Sequence, residues 1–202
     1  MNESKQDIKK TQILDAALKV IVDKGFDQSR MDDIVAESGM SKGSIYWYYK
    51  SKKDVYLSLV NHWVIEYSAP LNHIVEEDLP ASQQLHSLFQ FFVDQYESDS
   101  AVFKAMVEFW ALSGRDDDFH QKVQKVYSEF VHIIETILLH GKSNGEFFIE
   151  DTQTAALSIM INIEGIIWFT LFDANNISVR SYMETIYQFI EAGLTTPNKE
   201  LS

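Results

Sequence analysis

The stretch from Gly25 to Asp54, GFDQSRMDDIVAESGMSKGSIYWYYKSKKD, decides the fold. It reads as two short helices around a tight turn. Ser29, followed three residues later by Asp32, has the form of a capping box that opens a helix. Met31, Ile34, Val35 and Ser38 then give one apolar-to-small face, and Gly39 ends it. Met40 plugs the corner and Ser41 caps the next helix. Ile45 and Tyr48 return the apolar face, while Lys42, Ser44, Tyr46 and Trp47 point outward. This is the pattern of a helix-turn-helix, whose second helix fits the DNA major groove and brings its side chains to base edges.

The residue types suit that task. Lys42 is a cation for phosphate, Gly43 lets a backbone approach closely, and Ser44 serves base donors or acceptors. The run Tyr46 to Tyr49 mixes aromatic surface with hydroxyls. Tyr48 and Tyr49 fall on the Ile45 side or at the helix end and are assigned to packing. The candidate DNA contacts are Arg30, Ser41, Lys42, Gly43, Ser44, Tyr46, Trp47, Lys50 and Lys52.

The run from Ile8 to about Leu59 resembles the DNA-binding domain of TetR-type transcriptional regulators. The resemblance rests on Gly25-Phe26 after an apolar first helix, on Ile34 to Gly39, and on the ordered run Ser41-Lys42-Gly43-Ser44-Ile45-Tyr46-Trp47-Tyr48-Tyr49-Lys50-Ser51-Lys52-Lys53-Asp54-Val55. Val35 replaces the usual Ala and Tyr49 the usual Phe. The likeness covers about a quarter of the chain strongly. It implies a two-fold dimer on a palindromic operator of double-stranded DNA, a small-molecule effector site in the C-terminal part, and dimerisation through the last two helices.

Outward from this stretch, charge is unevenly shared. The 202 residues carry a net charge of −13, yet residues 1–55 hold ten Lys/Arg and nine Asp/Glu. The acidity therefore belongs to the remainder, and only local cations such as Lys5, Lys9, Lys10, Arg30, Lys42, Lys50 and Lys52 count towards counterion release. Lys5, Lys9 and Lys10 read either as an arm that touches DNA or as a solvated charge cluster. An apolar fraction of 46% is ample for a core, and zero cysteines exclude disulfides and thiolate metal sites. The start MNESKQDIKK has no apolar signal region, and the most apolar run, Ile159 to Phe172, is interrupted by Asn162 and Glu164. A cytoplasmic protein with no membrane partner is expected.

The spacing predicts an all-α fold of about nine helices. It comprises a three-helix helix-turn-helix domain over 1–55 and a helical effector-binding and dimerisation domain over 56–202. A first helix from Asp7 stops at Gly25. Ser51 caps a fourth helix that Pro70 is expected to bend or end. Further helices follow over 81–96, 101–112, 116–142, 151–173 and 178–194, the penultimate one apolar nearly all round. An all-apolar helix calls for cover by a second molecule.

Six scattered histidines show no HExxH spacing, and eight glycines form no phosphate loop, so no enzyme, metal or cofactor is expected. Candidate effector residues are Trp63, Phe103, Glu108, Trp110, Glu164 and Trp168. A carboxylate among apolar neighbours must find a donor or a cation. Aromatic faces with negative charge suit an organic cation, whereas an apolar ligand needs only the wall. Glu108 has a plainer alternative as a surface pair with Lys104. The reading is a ligand-responsive DNA-binding regulator, a repressor released from its operator by a small hydrophobic or cationic effector. The alternative is a helical interaction protein that keeps the fold without reading DNA.

Overall fold

The computed structural model describes residues 5–172, 174 and 176–197, and among them it is all-helical. In order the elements are α1 Lys5–Gln28, α2 Met31–Ser38, α3 Lys42–Tyr48, α4 Lys52–Glu76, α5 Ala81–Ser98, α6 Ala101–Ser113, α7 Asp117–Ser143, α8 Thr152–Glu164, α9 Trp168–Leu171 and α10 Val179–Thr195. A 3₁₀ turn, Gly165–Ile167, joins α8 to α9, so these form one rod, Thr152–Leu171. Counted so, the described residues hold nine helices, the number expected.

The chain forms two compact units, one of residues 1–65 with 101–126 and the other of 66–100 with 127–202. In the first unit α1 lies along α2 and α6. Its core is Ile13, Ala17 and Ile21 of α1, Ile34 of α2, Ile45 of α3, Val55, Tyr56 and Leu59 of α4, Phe103 and Phe109 of α6, and Phe119 of α7, all buried. An aromatic chain runs through it. Phe26 meets Tyr56 and Phe119 at centroid distances of 5.5 Å, and Phe109 stacks on Phe119 at 5.9 Å and meets Trp63 edge-on at 5.5 Å.

Local chemistry explains most boundaries. Gly25 breaks α1 with φ 68°, where a Cβ would also press on the Glu108 carboxylate at 3.3 Å. The capping box of α2 sits one residue later than expected. Ser29 is buried and its hydroxyl donates to the Phe26 carbonyl, while the Arg30 amide donates to Asp33 at 2.7 Å. Gly39 closes α2 in the left-handed region, and Ser41 Oγ accepts from the Ser44 amide at 3.2 Å. Ser51 and Asp54 bond reciprocally at the start of α4. Pro70 lies inside α4, which continues to Glu76, so the proline does not end the helix.

In the second unit α10 packs on α5 and α8. Glu146 accepts from the Ala81 and Ser82 amides at 3.0 and 3.2 Å and so caps α5 in place of a side chain at Pro80. Burial opposes its charge, but the two amides outweigh that and hold its carboxyl below the usual range. Gln84 is fully buried, and its amide nitrogen donates to the Val75 and Glu77 carbonyls while its oxygen lies 2.9 Å from His140 Nδ1. Tyr182 donates to the Asn162 carbonyl and leaves no room for a Cβ on Gly165, which would lie 2.1 Å from its oxygen. Asp151 and Ser178 cap α8 and α10. The expected end of the penultimate helix at Asp173, and Asn175 in the turn after it, lie outside the described residues.

Candidate nucleic-acid interface

The reading surface is built from below. Ile45 is fully buried, which seats α3 on the core and fixes which way its other faces look. Trp47 is then 67% exposed and Tyr46 39%, and Trp47 is propped edge-on against half-buried Tyr48 at 4.6 Å. Tyr49 is buried, as its assignment to packing requires. Exposed aromatic side chains held on a short rigid helix are poor material for a monomer's surface and good material for a groove.

Ser41, Lys42 and Gly43 are exposed, and a Cβ on Gly43 would meet nothing, so the backbone there is open to close approach. Ser44 is half-buried. Lys42 Nζ pairs with Asp32 Oδ1 of α2 at 2.7 Å, and that bond raises the lysine above its usual range. Both partners are well exposed and screened by solvent, so the pair is weak and a phosphate can replace Asp32. Arg30 is exposed beside the start of α2, and Lys50 is exposed with no hydrogen-bond or ion-pair partner among the described residues.

Lys52 differs from the other candidates. Its ammonium donates to the Phe26 carbonyl and, at 2.7 Å, to the Ser29 carbonyl, and it sits 4.4 Å from the centre of the Phe26 ring. Burial lowers its proton affinity, against the pull of Asp27 and Asp33. The side chain pins the α1–α2 corner to the start of α4. Sequence spacing alone makes Lys50 and Lys52 look alike. What separates them is that a helix begins between the two.

The six effector candidates are shared between the two units, Trp63, Phe103, Glu108 and Trp110 in the first and Glu164 and Trp168 in the second. Trp63 and Phe103 are core residues of the first unit at 7% and 3% exposure. Glu108 reaches the α1 kink, where Oε2 accepts from the Phe26 amide at 3.2 Å, and among the described residues it makes no ion pair with Lys104. Trp110 is half-buried on the same helix. In the second unit Trp168 is 61% exposed and stacked on Phe172, a surface position. Glu164 is half-buried, with no cation paired to it among the described residues, and burial pushes its carboxyl up to about 7.

Sequence reasoning expected cover over the last two helices but did not say which side chains are left exposed there. Leu157, Ile161, Trp168 and Phe172 are exposed along the α8–α9 rod, and Ile177 and Phe189 are exposed before and on α10. Ile163 and Ile166, only 1% exposed, face the unit's own core. A helix apolar all round carries no periodic signal to tell those two sides apart.

Two family models match the chain. Residues 13–59 match the family of bacterial regulatory proteins named for tetR, and residues 72–195 match the C-terminal domain of BetI-type transcriptional repressors. The fatty acid metabolism regulator protein of Bacillus subtilis strain 168 is 27% identical over 135 residues, 67% of this chain and 69% of that protein. Among solved structures, the fold is similar to FadR from Bacillus subtilis in complex with stearoyl-CoA, with a TM-score of 0.80, 21% identity and coverage of 91% and 98% of the two chains. It is also similar to a Saccharomonospora viridis regulator in complex with choline, with a TM-score of 0.84, 20% identity and coverage of 94% and 99%.

Proposed function

The chain belongs to the tetR family of bacterial regulatory proteins and is a ligand-responsive DNA-binding regulator, and from that premise we propose which residues read the operator, which face pairs two copies and what class of effector releases them. Residues 1–55 are the reading domain and 56–202 the effector and dimerisation domain of a repressor. Proteins of this family are regulators that act as dimers on DNA. The observation that carries the reading is the outward set on α3, with Tyr46 and Trp47 exposed over buried Ile45 and Lys42 beside them on an open Gly43 backbone. Tyr46, Trp47 and Ser44 meet base edges, while Lys42, Lys50 and Arg30 hold phosphates. Lys52 takes no part in DNA contact and positions the reading helix.

The exposed apolar side of α8, α9 and α10 supports a two-fold pairing of identical faces. Leu157, Ile161, Trp168 and Phe189 are the side chains a second copy would cover. The rod Thr152–Leu171 is long and apolar enough to cross a membrane by composition, a test that the core helix of a soluble dimer also passes. Two linked readers then meet half-sites about one helical turn apart.

For the effector, charge favours an organic cation. The second unit holds seventeen Asp/Glu and three Lys/Arg. Its Arg180 is already clasped by Asp94 and Glu97 at 3.0 and 2.6 Å, whereas Glu164 lacks a cation. A choline-like head suits such a region, and a polyphosphate head like that of an acyl-CoA finds little there to hold it. The test is a gel shift with DNA from upstream of the protein's own gene. A specific shift is expected, relieved by an alkyl quaternary ammonium ligand and lost in Tyr46→Ala. A protein that fails to distinguish this DNA from random duplex is instead a helical interaction protein that has kept the fold.

A further inference from the structure

The first unit contains an open cleft of about 1100 Å³ of whose lining the regulator reading uses only Lys50. α1 supplies Lys10 and Leu14, the segment after α3 supplies Tyr48 and Lys50, α4 supplies Leu57 and Asn61, and the first turns of α7 supply Lys122. We infer that this cleft binds a small organic phosphate, with Lys10, Lys50 and Lys122 around the phosphate and the Leu14, Leu57 and Tyr48 side chains against its organic body.

The charge inventory supports an anion. Lys10 and Lys50 have no hydrogen-bond or ion-pair partner among the described residues, and Lys122 donates only to the neutral Asn61 side chain at 3.2 Å. Two of the cleft's carboxylates are engaged elsewhere. Asp54 accepts the Ser51 amide at 3.0 Å as the cap of α4, and Asp118 holds Lys53 at 2.7 Å. Asp7, His62 and Lys125, each with interactions of its own, complete the charged lining. Three ammonium groups that make no ion pair among the described residues, carried to one concavity by α1, α7 and the segment after α3, favour the entry of an anion. Three such groups match the double charge of a phosphate monoester better than a single carboxylate. Buried Leu14 and half-buried Leu57 and Tyr48 give the wall an apolar part that free phosphate would not need. A DNA backbone is the wrong shape, since its phosphates lie on a convex rod and this lining is concave. An occupant neutralising Lys50 would remove one of the proposed phosphate contacts of the operator, so the cleft offers a second route to release from DNA.

The site can be tested on the full-length protein alone, without any operator, so its failure leaves the DNA-reading proposal standing. The probes are 1-naphthyl phosphate and the uncharged 1-naphthol, followed by calorimetry or ligand fluorescence at low ionic strength. The phosphate should bind with one-to-one stoichiometry and at least tenfold more tightly than the alcohol. Lys10→Gln and Lys122→Gln should each weaken it several-fold, and the pair together by more than tenfold, with helical circular dichroism unchanged. Lys104→Gln, on an exposed lysine of α6 outside the cleft, should have no effect. Equal affinity for phosphate and alcohol, or a double variant that binds like the unmodified protein, would overturn the assignment.

Discussion

Two regions of this molecule leave aromatic side chains in water, and they differ in what surrounds them. On α3, Trp47 and Tyr46 stand among Lys42, Lys50 and Arg30 in a unit of nearly balanced charge. On the α8–α9 rod, Trp168 and Phe172 continue a row of aliphatics in a unit with seventeen acids and three bases. An exposed apolar patch marks an interaction surface in both cases. On the proposed reading, local charge then selects the partner, polyanionic DNA in the first and a like surface in the second, where the acids oppose DNA and the apolar row favours something equally apolar.

The sharpest way to break this comparison is to place one charge on either side of α8. Ile163→Glu puts a carboxylate in the unit's own core and should cost more than about 3 kcal/mol, with loss of the thermal transition. Ile161→Glu, two residues earlier but 55% exposed, should keep native helicity and raise the dimer dissociation constant by about 100-fold or more, near 3 kcal/mol, by native mass or sedimentation. A folded dimer in the second variant would remove α8 from the interface.

The α3 side of the comparison is tested by Tyr46→Ala, expected to cost about 1–3 kcal/mol of operator affinity at particular base pairs, and by Lys42→Ala, expected to weaken all sequences and flatten the salt slope by about one unit. Binding competitions against point-mutated operators distinguish the two. If Lys42→Ala instead leaves the salt slope unchanged, its pair with Asp32 persists on DNA.

Glu164 sharpens the second region. Its folded-state affinity for a proton is raised by burial, so the folded chain holds more protons than the unfolded one between about pH 4.5 and 7. Stability should therefore fall as pH rises through that window and level off above it. Glu164→Gln should stabilise the protein at pH 8 by no more than about 3 kcal/mol, discounted for partial exposure, with the gain vanishing near pH 4.5. Urea titrations at both pH values check it. A gain that is the same at both pH values would mean that packing, not charge, is responsible.

The smallest effects separate two lysines that sequence treats as equivalent. Lys52→Met should destabilise the first unit by about 1–2 kcal/mol through two lost carbonyl bonds while leaving the salt slope of DNA binding intact. Lys50→Met should do the reverse, reducing the slope by about one unit at unchanged melting temperature. Identical behaviour would return Lys52 to the DNA surface.

Much of this was legible in the residues. Gly25, Gly39 and the caps Ser41, Ser51, Asp151 and Ser178 each stand where a helix ends or begins, because positive φ and orphan amides are local demands with local solutions. The outward set on α3 followed from the apolar face of Ile45 and Tyr48. The cap displaced to Arg30 was missed, and of the bend or end expected at Pro70 the end does not occur, because neighbours outweigh a propensity of a few kcal/mol.

The effector residues were the least legible. Trp63, Phe103, Glu108, Trp110, Glu164 and Trp168 share a chemistry that a pocket would use, yet the same chemistry serves a core, a cap or an interface. A single chain of letters does not say which. Periodicity, capping residues and turn glycines act within about four positions of themselves, so the sequence by itself determined the all-helical order and the face of the reading helix. Which carbonyls the Lys52 ammonium reaches, where Glu108 finds the Phe26 amide, and which side of α8 its own unit buries depend on groups up to eighty-two positions away. Only the tertiary structure decided those, because charge and burial are properties of neighbours in space.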